Sequence, residues 1–146
     1  MSWSPQKVVV PMDFSDESLR AVDYGLDLAP DASRLSVIHV LPDVIDWEAG
    51  LLLSGITDES RIELALVNLR ERLADPRYKP INLAASIGDP GSEIVDFAEA
   101  SGADLIVIPS HGRRGVRRLL LGSVAERVVR LAHCPVLVLK PGLTRS

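Results

Sequence analysis

Five short aliphatic runs, each closed by proline, glycine or polar turn residues and each separated by a helix-length segment, constrain this fold most. The runs are Val8-Val-Val10 before Pro11, Leu35-Ser-Val-Ile-His-Val40 before Leu41-Pro42, and Ile81-Asn-Leu-Ala-Ala-Ser86 before Gly88-Asp89-Pro90. Leu105-Ile-Val-Ile108 and Pro135-Val-Leu-Val-Leu139 follow. Leu105–Ile108 is wholly apolar, as a strand buried on both faces of a parallel sheet requires, whereas Ile81–Ser86 is weaker and suits an edge. Between the runs, residues recur with helical spacing: Leu19, Val22, Leu26 and Ala29, then Ile62, Ala65, Leu66, Leu69 and Leu73. Ser15 is placed to cap the first of these helices, with Asp16 and Glu17 at the positive end of its dipole and Pro30 beyond its end. Asp89 and Pro90 suit the cap and first position of a third helix, and Gly102 its end. Ser123-Val-Ala-Glu126 reads as a capping box opening a fourth helix, with Val124, Val128 and Leu131 on one face. The resulting β-α-β-α-β-α-β-α-β order implies right-handed crossovers and a parallel sheet with helices on both faces.

A chain of 146 residues fits one domain, residues 1–146, with a core that needs no disulfide or metal staple. Cys134 is the only cysteine. The amino terminus lacks the apolar core of a signal peptide, and no apolar run approaches the roughly 18 residues of a membrane span. These features lead us to expect a cytoplasmic protein. The segment from Asp43 to Thr57 holds Trp47, Leu51, Leu52, Leu53 and Ile56, too apolar for an ordinary exposed loop. Three readings of it stay open: a lid, a short helix, or a surface for another subunit.

The net charge of −4 conceals an asymmetry. Between His111 and Arg130 six arginines face Glu126 alone, so this segment carries +5 and the remainder −9. An acidic remainder and few aromatic residues disfavour a nucleic-acid partner. Ligands of an open parallel sheet bind beyond the carboxyl ends of its strands, which directs attention to Pro109-Ser-His-Gly-Arg-Arg-Gly-Val-Arg-Arg-Leu-Leu-Leu-Gly-Ser123. Its glycines allow backbone amides to approach an anion, and the helix that follows offers a positive dipole end. The same residues also suit simple turns, a helix cap and a solvated arginine face. No Walker A loop, dinucleotide fingerprint or Gly-x-Ser-x-Gly elbow is present. Ser110-His111 does not form a hydrolytic pair, because adjacent side chains on extended backbone point apart, and we assign no catalytic residue. His39, His111, His133 and Cys134 lack metal-ligand spacing, so a packed thiol is expected at Cys134.

Val8-Val-Val-Pro-Met-Asp-Phe-Ser15, Gly88-Asp-Pro90, Ser110-His-Gly112, Leu121-Gly-Ser123 and Cys134-Pro-Val-Leu-Val138 together resemble the universal stress protein family over nearly the whole chain. In its nucleotide-binding branch a Gly, two residues, a second Gly, nine residues, and Gly with Ser or Thr form the phosphate loop. Gly112 and Gly122-Ser123 match the later positions, with Arg113–Leu121 between them. Pro109 stands at the first glycine position and removes an amide there.

The resemblance implies a five-stranded parallel, Rossmann-like sheet of order 3-2-1-4-5 with a pocket between the first and fourth strands. It implies that Asp13 holds a ribose and Val40 sits against adenine. Around the phosphates it implies Pro109 and Ser110 leading into Gly112, with Gly122, Ser123 and Val124 opposite. The expected ligand is ATP, or ADP or AMP, with Mg²⁺ arriving on the phosphates. The expected function is a stress-response protein that uses the nucleotide as a regulatory ligand with slow or no hydrolysis. An unidentified regulatory protein partner and a homodimer through the last strand complete this expectation. A nucleotide-independent dimeric scaffold with a vestigial pocket is the alternative that Pro109 keeps open.

Overall fold

A computed structural model describes residues 3–43, 56–111 and 121–142. Strands β1 (Val8–Pro11), β2 (Leu35–Leu41), β3 (Asn82–Ile87), β4 (Leu105–Pro109) and β5 (Val136–Leu139) form one sheet in the order β3-β2-β1-β4-β5. Every neighbouring pair is parallel. The sheet order expected from the family resemblance is the one observed. Most of the Asp43–Thr57 segment, Gly112 and the arginines from Arg113 to Arg118 lie outside the described residues.

Helices α1 (Asp16–Leu28) and α2 (Asp58–Arg72) cover one face, and α3 (Pro90–Ser101) and α4 (Ser123–Leu131) cover the other. The period of two in the strands sorts their side chains between these layers. Val8 and Val10 pack with Val22 and Leu69, whereas Val9 packs with Ile94 and Val128 on the opposite face. Each such side chain, taken fully out of water, contributes about 1.5–3 kcal/mol. Central strands therefore have no solvated side.

Local signals set the ends of the helices. Ser15 caps α1 by accepting from the Ser18 amide, Asp89 caps α3 with Pro90 at its first turn, and Gly102 ends α3 at φ 70°. Thr57 and Ser60 form a reciprocal capping box on α2. Gly25 was not singled out by periodicity, yet it is required: a Cβ there would lie 2.7 Å from Val10 Cγ2. It lets α1 lie directly on β1.

Three expectations need correction. The third strand begins at Asn82, one residue later than expected, because Ile81 is still closing the preceding turn with its amide on the Tyr78 carbonyl at 3.0 Å. Leu131 is exposed, and Ala125 and Val128 supply the buried contacts of α4. Ser123 is not the cap of α4. Gly122 holds that position, and no side chain caps the helix. The cause is long-range: the Gly122 amide donates to the Ser110 carbonyl at 2.7 Å, which holds Gly122 extended and starts the helix at Ser123. Glu126, one turn in, pairs with Arg130 at 3.4 Å.

The turn before β3 is tied to α1 by Tyr78, whose hydroxyl donates to Asp23 Oδ1 at 2.6 Å and accepts from Arg77 at the same distance. Burial, reinforced by the Asp23 carboxylate and opposed by Arg77, pushes the phenol up to about 12. An acid whose pKa is raised on folding contributes stability that is complete below its unfolded value and lost as pH rises through the folded one. Urea unfolding between pH 10 and 12 should therefore show falling stability, and Tyr78→Phe should flatten that fall while lowering stability at neutral pH by about 1 kcal/mol.

Candidate functional site

At its carboxyl end β1 feeds α1 on one face while β4 leads toward α4 on the other, so the sheet opens a crevice between them. A cleft occupies this position. Pro11, Ile38, Val40, Ile94, Ile108 and Val124 give it a largely apolar lining, and Asp13, Ser18, His39 and His111 add polar groups. That composition suits a small organic ligand oriented by a few polar contacts.

Asp13 follows β1 and is set by short-range bonds. Its amide donates to Ser18 Oγ at 3.3 Å, and its Oδ1 accepts from the Ser15 amide at 3.0 Å and from the Ser15 hydroxyl. The carboxylate thus turns the chain into α1 while standing on the cleft wall. Val40 projects from β2 on the α3 side, among the residues that pack with Ile38 and Ile94. Pro109 is the last residue of β4, paired with Leu139, and lines the cleft without an amide hydrogen.

Ser110 is buried, its amide donating to the Leu139 carbonyl at 2.8 Å. Its hydroxyl has no hydrogen-bond partner among the described residues. Gly122 meets the same turn so closely that a Cβ would lie 3.1 Å from the Ser110 carbonyl oxygen and 3.4 Å from His111 Cα. Its φ of −63° is open to any residue, so contact rather than backbone angle demands glycine. Ser123 is exposed at the first helical position, and Val124, the next residue, reaches the cleft. The first turn of α4 consequently faces this end of the sheet with amides that no side chain caps, the arrangement in which helix termini meet anions.

Asp13, Val40, Pro109 and Val124, drawn from four separate stretches of chain, line one cleft. Gly112 lies outside the described residues, and the Gly122 amide is engaged by Ser110. Sequence reasoning missed Ile94, which approaches from α3 together with Pro90, and considered His39 only as a metal ligand. Position near the carboxyl end of a strand, next to Val40, was the available signal for His39. Pro90 is steadied by its neighbour: the Ser92 amide and hydroxyl, with Arg127 at 3.0 Å, hold the Asp89 carboxyl below its usual range.

The family model for the universal stress protein family matches residues 5–140. This chain belongs to the universal stress protein family. It is 40% identical over 144 residues to universal stress protein MJ0531 of Methanocaldococcus jannaschii, covering 92% of this chain and 82% of the relative. Universal stress protein YxiE of Bacillus subtilis is 32% identical over 92% of this chain and 98% of its own. Among solved structures, UspA of Lactobacillus plantarum superposes with a TM-score of 0.71 at 27% identity, covering 94% and 99% of the two chains. A universal stress protein solved in complex with cAMP superposes at 0.63 with 27% identity, covering 94% and 98%.

Within this universal stress protein, Cys134 packs against the α3–α4 face, and burial pushes its thiol up. Among the described residues no three His, Cys, Asp or Glu side chains converge as a metal site, and no helix is long and apolar enough to cross a membrane. The cap geometry separates two substitutions. Ser123→Ala should change unfolding free energy by less than about 0.5 kcal/mol, because its hydroxyl caps nothing. Gly122→Ala should cost about 1–3 kcal/mol by overpacking Ser110 and His111. Denaturant titration of both variants measures the difference, and a Ser123→Ala loss of cap size would contradict the assigned start of α4.

Proposed function

We propose that this universal stress protein is a single-domain, cytoplasmic stress-response protein that binds an adenine nucleotide as a regulatory ligand in the cleft between β1 and β4. The observation that carries the reading is the convergence of Asp13, Val40, Pro109 and Val124 on one cleft that adjoins the uncapped amino end of α4. In this reading Val40 and the apolar wall take the base, and Asp13 accepts from ribose hydroxyls. The amides of Ser123 and Val124, the Ser123 hydroxyl, and Ser110 with Gly112 hold the phosphates. The +5 charge of the segment from His111 to Arg130 raises the potential for a polyphosphate without requiring an arginine contact. The ligand class is ATP, ADP or AMP, and the cAMP complex of a relative with this fold supports adenine. Mg²⁺ arrives with the phosphates and neutralises their charge. Hydrolysis is slow or absent.

A ligand preferring one conformation of the protein shifts its population and so changes the surface offered to a regulatory protein partner; the Arg113–Leu121 segment, expected to take part, lies almost wholly outside the described residues. A homodimer through β5 is part of the same proposal. Leu137 of this edge strand is exposed, as are Val129 and Leu131 of α4, and pairing with a second copy would cover both the edge and its apolar neighbours. The same exposed strip, together with Pro109, supports the second reading, a dimeric scaffold that has lost its nucleotide.

Calorimetric titration of nucleotide-free protein with ATP and Mg²⁺ separates the readings. Saturable binding, weakened about tenfold or more in folded Gly122→Ala/Ser123→Ala protein, is the expected result. No heat of binding at millimolar ATP would leave the scaffold, and rapid turnover would make the protein an enzyme.

A further inference from the structure

Asp13 is held by the peptide group that precedes it, and that group is fixed at both ends. The Met12 carbonyl oxygen lies 2.7 Å from His39 Nδ1, and the Asp13 amide donates to Ser18 Oγ at 3.3 Å. A carbonyl only accepts, so Nδ1 carries the proton and donates to Met12. Met12 is also pinned through its own amide, which donates to the Ile38 carbonyl at 2.8 Å, and its side chain is buried. Sheet pairing alone would leave the Met12–Asp13 peptide free to rotate about the bonds that follow Met12's amide. The His39 and Ser18 bonds together remove that freedom.

The ring is itself oriented. Phe14 meets His39 with ring centroids 4.8 Å apart and planes at 61°, an edge contact. Phe14 adopts φ 67°, a left-handed conformation that a bulky side chain takes only where its surroundings over-determine it. Among the described residues Phe14 is alone in having a positive φ without being glycine. The left-handed residue directly follows Asp13, so the carboxylate lies between a clamped peptide and a strained one.

We propose that His39 is the positioning residue for the ribose end of the cleft, holding the Met12–Asp13 peptide so that the Asp13 carboxylate meets the sugar hydroxyls. This rests on the nucleotide reading above and adds to it a residue that acts through Asp13 rather than on the ligand. His39 lies on β2, 26 positions from Asp13 in sequence, and it makes the aspartate's placement depend on the pairing of β1 with β2.

The test compares ATP with 2′,3′-dideoxy-ATP, both with Mg²⁺, in calorimetric titrations of wild type, His39→Leu, His39→Asn and His39→Gln. Asn places an N–H donor where Nδ1 stands, whereas Gln carries its amide one bond further out. Wild type should bind ATP about tenfold or more tightly than the dideoxy analogue. His39→Leu and His39→Gln should collapse that ratio toward one by weakening ATP more than the dideoxy analogue, and His39→Asn should restore it. In Asp13→Ala the ratio should already be near one, and adding His39→Leu should change nothing further. Retention of the wild-type ratio in His39→Leu and His39→Gln would overturn the proposal, as would equal losses for both ligands. If His39→Leu does not fold, the Asn and Gln variants decide. Wild type binding both ligands equally would remove the ribose role of Asp13 and this proposal with it. Wild type binding neither would remove the nucleotide reading itself.

Discussion

The parallel pairing of β1 on both of its sides is the constraint on which the rest of this structure depends. Val8 pairs with Leu35 of β2 and with Leu105 of β4. Parallel neighbours on both sides require crossover connections, and right-handed crossovers leaving in opposite directions along the sheet put helices on opposite faces. Hence Val8 and Val10 meet one helical layer while Val9 meets the other. Hence also the chain diverges above β1 and β4 and leaves a cleft. Core and site have one cause.

That cause explains why the site is assembled from backbone more than from reactive side chains. Asp13 is set by Ser15, Ser18 and the clamped Met12 peptide. The amino end of α4 is set by the Gly122–Ser110 hydrogen bond, with no side chain cap spent on it. Pre-organised amides and one oriented carboxylate are suited to holding a polar ligand.

Much of this was legible in the sequence because the signals were local. The wholly apolar Leu105–Ile108 run required burial on both faces, and Ser15, Asp89, Pro90 and Gly102 each act within a few residues of their position. What was illegible depended on pairs distant in the chain. Ser123 and Glu126 spell a capping box, yet the bond from Gly122 to Ser110 starts the helix one residue too early for Ser123 to cap it. Gly25 sits in a helix with no local reason to be glycine until Val10 and Leu35 are placed beneath it. His39 looks like any strand histidine until the Met12 carbonyl arrives opposite. Leu131 fits the apolar period of α4 but is exposed, because Ala125 and Val128 supply that helix's buried contacts.

The central claim is that a nucleotide occupies the carboxyl end of the sheet at the divergence of β1 and β4. Amide chemical-shift mapping during titration with ATP and Mg²⁺ tests it most directly. The largest changes should fall on Asp13, Val40, Ser123 and Val124. Changes confined to the groove at the opposite end of the sheet, lined by Lys7, Arg34 and Asn82, would contradict it.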